Sequence, residues 1–84
     1  KVIRMEDRVY VLDRNGQMYF ARYLGSAKDV TVDAEVEGLP VQHIGEHAFA
    51  NRTVNSVKLP NTIESIGGYA FIHSAVKQIS LPEV

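Results

Sequence analysis

His43 and His47 stand four residues apart, the spacing at which two imidazoles on one helix face can share a zinc ion. Gly45 lies between them and no third ligand is evident, so both read as solvent-facing imidazoles and no metal site is expected. Asp29, Asp33, Glu35 and Glu37 form a short acidic run near Glu46. A calcium loop needs dense oxygen ligands around a defined turn, and the Asp-Arg-Asn-Gly phrase at 13–16 is only a fragment of one. Solvated acidic surface is the plainer account. Ser26, Ser56, Ser65, Ser74 and Ser80 have no nucleophile-elbow context, and no Gly-rich phosphate loop occurs. Asn51-Arg52-Thr53 is formally a glycosylation sequon, which matters only in a eukaryotic secretory pathway. These residues predict no catalytic site, no cofactor and no enzyme.

The elements that hold these residues must come from a short chain. Its 84 residues allow one ordinary domain, 45% of them hydrophobic, which argues for a folded core. Nine Lys and Arg against ten Asp and Glu leave a formal charge of -1. That balance gives no basic field to concentrate nucleic acid or an anionic membrane. There is no Cys, which excludes a disulfide scaffold and a thiolate metal site. No apolar run approaches the roughly 20 residues that span a bilayer, and no signal-peptide pattern is present, so no membrane insertion is expected. The chain begins at Lys1 and stops at Val84 just after a strand-like stretch, and is read as a segment of a longer one.

The organising feature is a repeated phrase. IGEHAFANRTVNSVKLP at 44–60 returns as IGGYAFIHSAVKQISLP at 66–82, an offset of 22. Ile44 meets Ile66, Gly45 meets Gly67, Ala48 meets Ala70 and Phe49 meets Phe71; Val54, Val57 and Leu59 meet Val76, Ile79 and Leu81. The polar positions drift, as in Glu46 against Gly68 and His47 against Tyr69. A looser third copy lies upstream, where VTVDAEV at 30–36 matches VKLPNTI at 57–63 at an offset of 27, the extra five residues being EGLPV. Such periods indicate stacked units that bury their apolar faces against one another.

Within a unit, Val57 and Leu59 alternate inward while Ser56 and Lys58 point the other way, and Pro60 ends the strand because it has no amide hydrogen to donate. The phrase EHAFAN predicts one or two helical turns carrying Ala48 and Phe49 inward, closed by Asn51 in a left-handed conformation. Upstream, Asn15-Gly16 predicts a two-residue type I′ hairpin between strands at 9–13 and 18–23. This hairpin would cover the first apolar layer with Val11 and Phe20, or with the opposite face of Leu12, Tyr19 and Tyr23. The far end, 76–84, has no such cover. It is expected to be followed by more repeats in a longer chain, and to self-associate.

The stretch 44–84 closely resembles the BspA-like (Treponema pallidum-type) leucine-rich repeats, whose phrase runs I-G-x-x-A-F, then spaced aliphatics, then L/I-P. The stretch 30–45 resembles that family's first repeat. The Cys that many members carry after the Phe is replaced by Arg52 and Ser74. The resemblance implies a leucine-rich-repeat solenoid, β-rich, with short parallel strands and short helical turns. Residues 1–26 would be a capping hairpin region and 27–84 about two and a half to three repeats. The family's strands line a concave face, so the repeat offsets imply an outward column of Asp29, Ser56 and Gln78 and a second of Thr31, Lys58 and Ser80. The implied role is protein binding by a bacterial cell-surface or secreted protein, in adhesion or in recognition of host matrix proteins such as fibronectin and fibrinogen. A plain solvated sheet on a structural spacer or cap, next to another domain, catalytic or not, is the rival reading. The columns lack aromatic residues; Tyr69, on the turn side, is the nearest exposed anchor.

Overall fold

The computed structural model describes residues 1–81, so Pro82 and the last residues of the predicted repeat region lie outside the described residues. Among the described residues nine strands form two sheets. In the first, β1 (Val2–Met5), β2 (Arg8–Leu12) and β3 (Met18–Tyr23) make an antiparallel meander. This continues through the parallel strands β6 (Leu39–Ile44) and β8 (Ser65–Ile66), with β5 (Glu35–Val36) pairing back on β6. In the second, β4 (Asp29–Thr31), β7 (Ser56–Lys58) and β9 (Gln78–Ser80) run parallel. One coil therefore contributes β4 and β6, the next β7 and β8, and the third begins with β9. The 22- and 27-residue offsets appear directly as strand register: Val30 faces Val57, which faces Ile79.

The apolar positions of the phrase fill the space between the sheets. Ile44, Ala48, Phe49, Val54, Val57 and Leu59 are all buried, beside Val30, Val32, Val36 and Val41. Phe20, Phe49 and Phe71 stack along the solenoid with ring centres 4.9 and 5.3 Å apart. Two aromatic contacts of this kind add about 0.5–1.5 kcal/mol each beyond area burial. Glycine in the I-G pair follows from close approach rather than from φ. A Cβ on Gly67 would lie 2.7 Å from the Glu46 amide nitrogen, and one on Gly45 would lie 3.3 Å from the Phe20 carbonyl oxygen. Each of these glycines donates its own amide to the preceding layer, Gly45 to Phe20 and Gly67 to Ile44.

Three expectations need correction. The predicted helical turns are absent: no helix forms among the described residues, and 46–51 and 68–73 are paired turns. His47 and Asn51, like Tyr69 and His73, adopt φ of 55–60°, which a right-handed helix cannot absorb. The amides instead donate across coils, Phe49 to Ala70 at 2.7 Å and Asn51 to Ile72 at 3.0 Å. Asn51 does take its expected left-handed conformation.

The Asn15-Gly16 hairpin is present, but only Gly16 has positive φ. The Asp13 carboxylate accepts the amides of Asn15 and Gln17, which selects a longer turn over the two-residue one. The pair of left-handed residues occurs instead at Glu37 and Gly38, inside EGLPV, where it joins β5 to β6. A third strand, β1, precedes the hairpin through a Glu6-Asp7 turn that carries no glycine signal.

The cover over the first layer also differs from both predicted sets. Tyr10, Met18, Phe20 and Tyr23 are the buried residues, while Val11 and Tyr19 lie on the other face. A bulge in the β2–β3 pairing at Ala21 shifts the alternation and puts both Phe20 and Tyr23 inside.

Candidate interaction face

The second sheet brings the six predicted surface residues together. Asp29, Ser56 and Gln78 are direct register partners across β4, β7 and β9, and so are Thr31, Lys58 and Ser80. At about 4.8 Å between strands, each column is roughly 10 Å long. Asp29, Thr31, Lys58 and Gln78 are exposed; Ser56 and Ser80 are partly buried. The Ser56 hydroxyl donates to Asp29 Oδ1 at 2.5 Å, and Lys58 forms no ion pair among the described residues. The face thus offers one carboxylate, one ammonium, hydroxyls and an amide, held by strands whose inward residues Val30 and Val57 are buried. It can exchange hydrogen bonds with a partner over a flat polar patch.

Tyr69 is 68% exposed but lies on the turn edge, where its ring stacks on His47 with centres 5.5 Å apart. His43 is elsewhere, on β6 in the first sheet. Its Nδ1 meets Ser65 Oγ at 2.6 Å and its Nε2 meets Gln17 Oε1 at 2.7 Å, and one ring tautomer satisfies both contacts. The two histidines share no site, and among the described residues no group of three or more His, Asp or Glu is placed to hold a metal ion. Among the described residues no helix is long and apolar enough to cross a membrane.

A cluster that sequence reasoning missed ties the meander to the first coil. Arg8 Nε donates to Asp7 Oδ1 at 2.7 Å, and Nη1 donates to the Thr31 carbonyl at 2.6 Å and to Asp33 Oδ1 at 3.0 Å. The Tyr10 hydroxyl donates to Asp33 Oδ1 and accepts the Asp33 amide. Burial, followed by the bond to Asp33, pushes the Tyr10 hydroxyl well above its ordinary pKa. Burial pulls the Arg8 guanidinium down, but the hydrogen bond to Asp7 and the neighbouring Tyr10 hydroxyl outweigh it and hold the group charged. The hydrogen bond from Arg8 keeps the Asp7 carboxyl below its usual range. An open cleft of about 400 Å³ lined by Met5, Glu6, Asp7, Arg8, Thr31 and Asp33 lies beside this cluster. Asp7, Arg8 and Asp33 already satisfy one another, so the cluster reads as a joint. The 23-residue separation of Tyr10 and Asp33 leaves no local signal.

Residues 23–84 match the family described as BspA type leucine rich repeat region (6 copies). Among solved structures, a leucine-rich repeat protein from Bacteroides capillosus is similar at 25% identity and a TM-score of 0.84, over 95% of this chain and 64% of that one. The T. pallidum leucine rich repeat protein gives 28% identity and 0.85, over 98% and 40%. A leucine rich cell surface protein from Faecalibacterium prausnitzii gives 23% and 0.84, over 99% and 24%. The chain therefore spans less than two thirds of each of these relatives. No curated protein matches it. With the family matched over most of its length and its coils superposing on those of known members, this chain belongs to the BspA-type leucine-rich repeats.

Proposed function

We propose that the chain is a protein-binding module of a bacterial cell-surface or secreted protein, and that it acts in adhesion through the outward face of β4, β7 and β9. The observation that carries this reading is the register itself. Three coils align six polar side chains that the core does not use. Affinity would accumulate along stacked strands rather than in one pocket, and no catalytic step is involved. The family supports protein interaction in general; the F. prausnitzii cell surface protein, at 23% identity, shares the fold alone. Fibronectin and fibrinogen are the first partners to test. Binding to them should be saturable, and the combined changes Asp29→Lys, Lys58→Glu and Gln78→Trp should weaken it at least about tenfold with melting unchanged. Binding indifferent to these changes would remove the face from the account.

A structural reading is favoured by a different observation. The columns contain no Tyr, Trp or Arg, the side chains that anchor most interfaces, while the last two coils expose Ile66, Ile79 and Leu81. On this reading the coils act as a spacer or cap, and the exposed apolar end associates with another unit or a second copy. Sedimentation at rising concentration should then show self-association, which a clean monomer at about millimolar concentration would contradict.

A further inference from the structure

The anchoring residue types missing from the three-strand face are found on the outward face of the first sheet. Register places Val2, Val11, Tyr19, His43 and Ser65 in one row across five strands. The adjoining row is Arg4, Val9 and Arg22, so two arginines flank one valine, roughly 10 Å apart by strand spacing. The core lies on the opposite side, where Tyr10, Phe20 and Tyr23 are buried.

Three properties distinguish this face. Tyr19 is already ordered, because its ring stacks on His43 at 4.6 Å and His43 is itself held at both ring nitrogens by Gln17 and Ser65. An aromatic fixed before contact loses little freedom on binding. Val2 is 70% exposed and Val9 and Val11 partly so, which gives Tyr19 an apolar surround. Arg4 and Arg22 are exposed and form no ion pair among the described residues, and two acids of this sheet and its loops are otherwise engaged. Asp13 accepts two backbone amides, and Glu64 accepts from Gln42.

We propose that this sheet face is a second interaction surface, for an acidic protein segment that sets carboxylates on Arg4 and Arg22 and an apolar side chain against Tyr19 and Val11. The charge complement argues for an acid-bearing partner, and the apolar row argues for a peptide. Two arginines are too few for a polyanion such as nucleic acid or a sulfated glycan, whose binding scales with many neutralising cations. Arg and Tyr are the residue types that concentrate binding energy, whereas Lys, Asp and Ser, which supply the other face, are depleted at interfaces. This proposal does not depend on the role of β4, β7 and β9.

The test is a nitrogen-15 NMR titration of the chain with a synthetic peptide alternating acidic residues with Phe and Leu, its Lys-for-acid counterpart, and heparin. The acidic peptide should shift the amides of Val9, Val11, Tyr19 and Arg22 saturably, and more weakly as salt rises. Arg4→Glu with Arg22→Glu should weaken binding at least about tenfold, while Arg4→Lys with Arg22→Lys retains most of it. The triple variant on β4, β7 and β9 should bind as the parent does, which separates the two faces. Melting curves establish that each variant is folded. The proposal is overturned if the acidic peptide moves no resonance, if its shifts map to β4, β7 and β9, if the basic peptide binds equally well, if heparin binds in its place, or if folded Arg4→Glu/Arg22→Glu binds unchanged.

Discussion

Leu59 and Leu81 occupy the same place in successive coils, yet Leu59 is 4% exposed and Leu81 70%. The contrast repeats down the phrase: 1% for Ile44 against 47% for Ile66, and nil for Val57 against 42% for Ile79. The residue types are the same or nearly so; what differs is the presence of another layer. In this fold a side chain's contribution to stability is set by its neighbouring coil more than by its own. The N-terminal end shows the alternative, where the meander lays Tyr10, Phe20 and Tyr23 over the first layer and leaves Val30 and Ile44 buried.

Matched substitutions break this comparison most directly. Phe49→Ala and Leu59→Ala should each cost about 3–5 and 2–5 kcal/mol in urea unfolding. A chain of this size holds roughly 4–13 kcal/mol in total, so either change brings it near unfolding. Leu81→Ala should fall within about 0.5 kcal/mol of the parent, and Phe71→Ala should cost less than Phe49→Ala. Equal costs at the paired positions would mean that stacking does not set the burial.

The glycine pair sharpens the same point with a smaller effect. Gly67→Ala pushes a methyl into backbone of the preceding coil and should cost about 1–3 kcal/mol, because neither Gly45 nor Glu46 can move without shifting its own layer. Gly45→Ala, with a contact 0.6 Å longer, should cost less. Thermal melts of the two variants order them.

The joint between meander and first coil predicts a pH effect at each end. Tyr10 has its pKa raised by folding, so its contribution is complete below about pH 10 and is lost as pH rises toward the folded value. Tyr10→Phe should cost about 1 kcal/mol at neutral pH and flatten that alkaline decline. Asp7 is shifted the opposite way; its contribution is present above about pH 4 and fades as pH falls through the folded value. The Asp7 side chain is 37% exposed, so Asp7→Asn should produce the smallest change in this series, seen only as a shallower acid limb in stability against pH.

Much of the stack was legible because stacking forces like residues onto like. Offsets of 22 and 27 in the sequence become strand register without adjustment, and the columns of Asp29, Ser56 and Gln78 and of Thr31, Lys58 and Ser80 follow. The turns were misread for a physical reason. EHAFAN has the composition of a short helix, but its Phe49 and Asn51 amides find acceptors in the next coil, a choice no local window displays. The bulge at Ala21 hid the inward face of β3 in the same way, since Phe20 and Tyr23 are buried together only when alternation slips. Tyr10 and Asp33 meet across 23 residues and two different elements. The arginine and tyrosine rows of the meander were missed because β1 carries no turn signal and the strand order that builds the rows is long-range.

Native-state hydrogen exchange tests the stacked account most directly, because the key amides donate between coils. The amides of Gly45 (to Phe20), Phe49 (to Ala70) and Gly67 (to Ile44) should be protected, each as part of the layer it joins. Protection should be highest in β3 and β6 and fall toward β9. Protection of 46–51 as an isolated helical block, or a third coil exchanging as slowly as the second, would contradict the claim that each coil is held by its neighbour.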